Sequence, residues 1–438
     1  MEWYFALLIL LGLVIGLMAI GVPVAFSFMA SNLIGAWIFI GGTASVLQVV
    51  DNSTALISRF QLAPVPFFIL MGSIFFYSGL AVRVFDALDK LLGRIPGRLC
   101  YLTVAGGTAF STLTGSSMAN TAMLGSLMVP EMQRRGYHWK MSLGPILGTG
   151  GLAMIIPPST LGILLASLAE VDVGKFLIAG ILPGLVLAAL YTGLITLQIW
   201  RNPEHAPNYD TPQLGWRASI LIIMTNIVPM ALVVLMVIGL IIFGIATPTE
   251  SAAFGVIGVA LLARLLNLLK FDALKASLLS TIKVSGMVFF IILNSSIFSQ
   301  LLAFSGASSG LLQFATSFDV TPGMMLLFIF LALLTIGMFM DPVSMMLITI
   351  PIFFPLIKAL GIDPLWFGLF MLLALEMSQT TPPFGLLLFV MLGVAPKGTT
   401  LKQVATAAAP FLVCDAILVG IIAIFPSLVL YLPSVMQQ

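Results

Sequence analysis

Four short polar islands interrupt an apolar chain, and all four offer oxygen. The first is "TLTGSSMANTAMLG", Thr112 to Gly125, where Gly115 can turn the chain tightly and Ser116 or Ser117 can cap the helix running on to Pro130. The second is "GMFMDPVS", in which Asp341 is a good N-cap and Pro342 suits the first helical position. The remaining two are helix breaks. "MIIPPST", Met154 to Thr160, cannot make regular helical bonds at Pro157 and Pro158, so carbonyls about one turn earlier are released. "EMSQTTPPFG", Glu376 to Gly385, repeats the break and adds the hydroxyls of Thr380 and Thr381. Paired as tip and break, these segments make two oxygen-rich pockets suited to a hard, weakly bound cation, sodium above all. Helix N-termini at both tips favour an anionic group such as a carboxylate.

Asp341 and Glu376 read as the acids set deepest in apolar sequence, and intramembrane carboxylates are functional candidates by default. Asp341 either meets an ion or only caps its helix; Glu376 fits better as a brace of the broken helix, through a backbone amide, than as a ligand. The hydroxyl residues have a competing role as small packing residues between helices. Cys100 and Cys414 lie far apart in apolar surroundings and read as packing residues; His138 and His205 read as lone surface side chains. No GxxxxGK[ST] segment that could bind ATP occurs, and no covalent chemistry is expected.

The elements that must hold these islands are membrane helices. Of 438 residues, 60% are hydrophobic and 8% charged, too few charges for an aqueous surface. Apolar stretches recur at Trp3 to Ile20, Val22 to Ile40, Ala218 to Ile241 and Val404 to Leu430, and lipid forces such backbone into helices. The first run lacks a basic flank and reads as a retained helix, not a signal peptide. Sorting Lys and Arg between spans places clusters at Arg83 to Arg98, Arg134 to Lys140, Arg201 and Arg217, Arg264 to Lys283, and Lys397 with Lys402 on one side; Arg59, Lys175 and Lys358 are exceptions. By the positive-inside rule that side is cytoplasmic, both termini are periplasmic, and two regions, Leu99 to Pro130 and Met324 to Leu360, enter and leave on one side as re-entrant hairpins. The long polar connection Arg201 to Arg217 reads as a solvent-exposed linker, and Ser45 to Gln61 as an interfacial segment.

An ungapped shift of 225 positions lays Pro130 on Pro355, Gly136 on Gly361, Pro157-Pro158 on Pro382-Pro383, and Ser116-Ser117 on Asp341-Pro342. Each unit reads as a polar tip, a helix ending near proline, a turn with Gly, and a helix broken by Pro-Pro. Two such units entering from opposite faces make an inverted repeat, the sequence pointer to a secondary transporter.

In order along nearly the whole chain, "AIGVPVAFSF", "LAPVPFFILMG", "TGSSMANTAMLGSLMVPEMQRRGY", "IIPPS", "AGILPG", "GMFMD", "PIFFPLIKALGIDPLWFG" and "TTPPFG" resemble the large membrane subunit of tripartite ATP-independent periplasmic (TRAP) transporters. The resemblance implies an all-α polytopic fold of the ion-transporter superfamily kind, in which a transport domain carrying both hairpins slides, elevator-fashion, against a scaffold. The division it suggests is scaffold helices over 1–82, a first transport half over 83–173, scaffold helices with the cytoplasmic linker over 174–303, a second transport half over 304–403, and a C-terminal helix over 404–438. It implies a small four-helix membrane subunit and a periplasmic substrate-binding protein as partners, a small carboxylate as substrate, a bacterial or archaeal inner membrane as location, and no nucleic acid. No cofactor is implied beyond sodium as coupling ion.

Carried onto this sequence, one sodium falls to Ser116, Ser117 and Asn120 with the Ile155 and Ile156 carbonyls, and another to Gly337, Met340, Asp341, Thr380 and Thr381. Thr114, Gly115, Asn120, Pro157, Pro158, Ser159, Pro382 and Pro383 are expected to face substrate. Ser378 and Gln379 depart from the family pattern, where apolar residues are expected. Arg59 suits a substrate carboxylate, the small subunit or the membrane interface. Three rivals share parts of this reading: a stand-alone sodium/dicarboxylate symporter, an intramembrane aspartyl protease using Asp341 with a second acid, and a passive channel.

Overall fold

The computed structural model describes residues 2–42, 62–91, 95–114, 117–157, 159–207, 215–317 and 321–436. Arg59, Gly115, Ser116, Pro158 and the segment Ser45 to Gln61 lie outside them, as does the side chain of Thr114. The described residues form helices and no strands, as backbone facing lipid requires.

In chain order the helices are α1 (Trp3–Ala19), α2 (Val24–Ala36), α3 (Pro64–Tyr77), α4 (Leu80–Leu91), α5 (Arg98–Thr114), α6 (Ser117–Arg134), α7 (Trp139–Ile155), α8 (Thr160–Leu168), α9 (Val173–Ala179) and α10 (Ile181–Arg201). There follow α11 (Trp216–Ile242, with a π turn at Ile223–Ile227), α12 (Pro248–Leu265), α13 (Phe271–Phe304), α14 (Ala307–Ser317), α15 (Pro322–Gly337), α16 (Pro342–Ala359), α17 (Pro364–Thr380), α18 (Leu386–Val394), α19 (Leu401–Ile424) and α20 (Ser427–Val435). Among the described residues seven helices or continuous helical runs are long and apolar enough to cross a membrane, or nine if the bent pairs α3–α4 and α7–α8 each count as one span.

Two groups of helices pack side by side. In one, α3 lies against α12 and α13, α13 against α2, and α2 against α1. Buried polar side chains tie this group across helices: the Asn32 amide donates to the Asn294 carbonyl at 2.8 Å, and Ser31 Oγ to the Leu10 carbonyl at 3.0 Å. The other group centres on α7, which touches α5, α6, α10, α17 and α19. Helices α5 and α6 form one hairpin, α15 and α16 the other; α3 against α5 and α13 against α16 join the groups.

The repeat holds to the residue. Shifted by 225, Ser117–Arg134 coincides end for end with Pro342–Ala359, and Trp139–Ile155 with Pro364–Thr380. The matching extends to the caps. Gly136 and Gly361 both adopt positive φ, 79° and 72°, and each pairs back on its helix: Tyr137 N–H to the Met132 carbonyl, Ile362 N–H to the Ile357 carbonyl, both at 2.9 Å.

Three expectations change. Neither hairpin helix ends near its proline: α6 runs through Pro130, and α16 through Pro351 and Pro355. Proline removes one donor and bends the helix locally, whereas the left-handed glycine stops it. The apolar run Val404 to Leu430 is two helices, since α19 stops at Ile424 and α20 begins at Ser427. The two histidines are half-buried and not alone. Their rings stack at 4.1 Å, and the His138 N–H donates to the His205 carbonyl at 3.0 Å, so the start of the linker lies on the α6–α7 turn. The cysteines are free and buried.

Candidate functional site

The first tip meets its broken helix through short side chains that let backbones approach. Ser117 begins α6 and is buried, but its hydroxyl does not cap: it donates to Glu376 Oε2 at 3.1 Å. One turn on, the buried Asn120 amide donates to the Thr149 carbonyl of α7 at 3.3 Å. Helix α7 ends at Ile155, after which Ile156 turns to extended backbone and bonds back to Leu152 at 3.0 Å. Pro157 is buried, and so is Ser159, whose hydroxyl accepts from Gly162 N–H at 3.0 Å and starts α8.

The second tip carries an acid where the first carries serine. Asp341 Oδ2 accepts the Val343 and Ser344 N–H groups at 3.0 and 3.1 Å, and Oδ1 accepts the Ser344 hydroxyl. It is thus a full N-cap of α16, with Pro342 at the first helical position. Gly337 closes α15 against α17 so tightly that a Cβ there would reach the Ser378 side chain, with Ser378 Cβ 2.5 Å away. The buried Gln379 amide spans the tip, donating to the Gly337 and Met340 carbonyls at 3.4 Å each. Ser378 is small enough to admit the tip, and the Gln379 amide laces it to the break.

Thr380 and Thr381 turn their hydroxyl hydrogens to the Met377 carbonyl, at 3.2 and 2.6 Å, which leaves oxygen lone pairs as their offering to a cation. The two breaks differ in access. Pro382 and Pro383 are exposed, with Phe384 beside them packed on Phe339 of the tip at 5.1 Å, whereas Pro157 and Ser159 are buried.

Between the two breaks lies a buried polar cluster. Glu376, 2% exposed, sits about one turn before the end of α17 beside Gly150 and Gly151 of α7. Asp415 of α19, 4% exposed, accepts a hydrogen bond from the Tyr191 hydroxyl of α10. Both acid side chains pack on Gly151: a Cβ there would lie 3.3 Å from the Glu376 Cγ methylene and 3.8 Å from Asp415 Oδ1. Among the described residues neither forms an ion pair with a Lys, Arg or His. The cluster corrects two expectations. Glu376 braces a hydroxyl of the opposite repeat instead of a backbone amide of its own helix. And Asp415 is a second buried acid, nearly as deep as Glu376; its signal is a single carboxylate inside the apolar run Val404 to Leu430.

Tyr191→Phe should leave Asp415 Oδ1 without its donor in a dry interior. We expect a loss of about 1–3 kcal/mol, seen as a lower Tm of the detergent-solubilised chain, and an unchanged Tm would show that the bond contributes nothing.

Comparison with known proteins agrees with this architecture. Residues 11–428 match the family model described as "Tripartite ATP-independent periplasmic transporter, DctM component". A C4-dicarboxylate TRAP transporter large permease protein of Pseudomonas aeruginosa is 32% identical over 380 residues, 86% of this chain and 87% of the relative. The uncharacterized protein YgiK of Salmonella typhimurium is 30% identical over 435 residues, 99% and 98% of the two chains. In shape the chain is similar to the crystal structure of the Alcanivorax borkumensis YdaH transporter, with a TM-score of 0.64 over 92% of this chain and 98% of that one, at 15% identity.

Proposed function

This chain belongs to the DctM-component family of TRAP transporters and is a large permease of that kind, and from that premise we propose that it performs sodium-coupled uptake of a small organic acid by an elevator motion. The observation that carries the reading is the pairing of each hairpin tip with a helix break, repeated at a constant 225-residue spacing. Such pairs gather helix N-termini, released carbonyls and hydroxyls within the membrane, where unsatisfied backbone costs several kcal/mol unless a ligand meets it.

Sodium at the first tip would take oxygens from Ser117, Asn120 and the end of α7; at the second, the Gly337 and Met340 carbonyls, Asp341, Thr380 and Thr381. The lacing amide of Gln379 holds two of those carbonyls at fixed spacing. A carboxylate would then approach the N-terminus of α16 and the exposed second break, where the sodium charge offsets its own. The group around α7, α17 and both hairpins is the body proposed to move, and the group around α3, α12 and α13 the body that stays. Small-subunit and substrate-binding-protein partners are proposed from the family, as is an inner-membrane location; the acid proposed is a C4-dicarboxylate, the class for which the Pseudomonas relative is named.

Reconstitution tests the whole reading. Liposomes holding this chain with its small subunit should take up the acid only when the binding protein and an inward sodium gradient are both supplied. Robust uptake by this chain alone would instead support the stand-alone symporter, and conductance without saturation would support a channel.

A further inference from the structure

The tips do not account for every buried oxygen among the described residues. Glu376 has one oxygen engaged by Ser117, while its other, Oε1, is buried without a hydrogen-bond partner. Thr121 Oγ1, on a residue with no exposure at all, is likewise buried and unpartnered. Both lie against one point on α7. A Cβ built on Gly150 would be 3.0 Å from Glu376 Oε1, 3.1 Å from the Leu387 Cδ1 methyl and 3.5 Å from Thr121 Oγ1, and the residue there has no side chain. Two bare oxygens, on helices α6 and α17 of opposite repeats, therefore converge on a gap that a glycine keeps open.

From this geometry we infer that Glu376 Oε1, Thr121 Oγ1 and the gap over Gly150 form a binding site for one alkali cation, additional to the two tips. Hard cations take oxygen ligands, and a carboxylate with a hydroxyl supplies one negative charge, which one monovalent ion neutralises. A divalent ion would bring excess charge into the interior; among the described residues no three His, Cys, Asp or Glu side chains gather as such a site needs. The second acid is occupied elsewhere, since Asp415 Oδ1 holds the Tyr191 hydroxyl. Without a cation, an ionised Glu376 is a buried charge with no Lys, Arg or His partner among the described residues, which dry surroundings penalise heavily.

The repeat shows that the site is built on one side only. At the shift of 225, Gly150-Gly151 corresponds to Leu375-Glu376: one repeat provides the gap, and the other the charge that fills it. Because Glu376 also holds Ser117, an ion here clamps the first turn of α6 to α17, so that occupancy couples the first tip to the second broken helix.

The inference goes beyond the tip sites and is tested by counting ions. Purified full chain is dialysed to equilibrium with radioactive sodium at saturating concentration, with choline replacing sodium as the blank. Glu376→Gln removes the charge; Gly150→Ala keeps the carboxylate but plugs the gap, and alanine suits the interior of a helix. Each should bind one sodium fewer per chain than the parent while eluting as the same monodisperse species. If Glu376→Gln fails to fold, Gly150→Ala decides alone. A full count in Gly150→Ala overturns the inference and leaves the tip sites standing. A parent that binds no sodium overturns both this site and the sodium-coupled reading.

Discussion

Asp341→Asn should abolish sodium-driven uptake while leaving the fold intact. Asparagine caps a helix as well as aspartate, so the Val343 and Ser344 N–H groups keep an acceptor and Tm should shift by no more than about 0.5 kcal/mol equivalent. The charge is what disappears. At a tip where sodium and a carboxylate are proposed to meet, its loss should weaken sodium binding by about a hundredfold, roughly 3 kcal/mol. Sodium titration of uptake in proteoliposomes measures this, with Asp341→Ala alongside as the variant that loses cap and charge together. If the asparagine variant transports normally and only the alanine variant fails, Asp341 is a cap and nothing more.

Gly385→Ala should be the most damaging single-methyl change in the second break. A Cβ at this position would lie 2.8 Å from the Gln379 carbonyl carbon and 2.9 Å from the Thr381 oxygen, and closer still to the Gln379 oxygen. These are backbone atoms at the turn where α17 gives way to α18, so no side chain can swing aside. Overpacking of this kind costs about 1–3 kcal/mol, and relief must come from moving the carbonyls about Thr380 and Thr381. We expect uptake to fall at least about tenfold and the sodium dependence to move to higher concentration. Gly193→Ala is the control, for a Cβ there meets nothing within 4 Å. Equal uptake by both variants would remove the second break from the transport site.

Much of this was legible in the sequence because proline, glycine and charge mark membrane helices strongly. The spacing of four landmarks recovered the repeat, and Asp341 was identified as a cap from its place before Pro342. What the sequence did not reveal depended on contacts between repeats. That Glu376 would brace Ser117, 259 positions away, cannot be read from either helix alone. Asp415 lies in an unbroken span with no helix break to mark it, and its meaning depends on Tyr191 approaching from α10. Proline in sequence suggests a stop, but within a helix buried among neighbours its effect is a bend, as at Pro130, Pro351 and Pro355.

The end-for-end coincidence of Ser117–Arg134 with Pro342–Ala359 has a consequence for how the chain tolerates change. An inserted residue turns every following side chain by about 100° around a helix. Within either of these segments it would swing a whole face away from α7 or α17, while its twin stayed put. The two halves therefore act as gauges for each other's length. Surface loops can drift freely, but the hairpin helices and their breaks are held to one shared measure, and an indel scan should find these stretches closed to single-residue insertion.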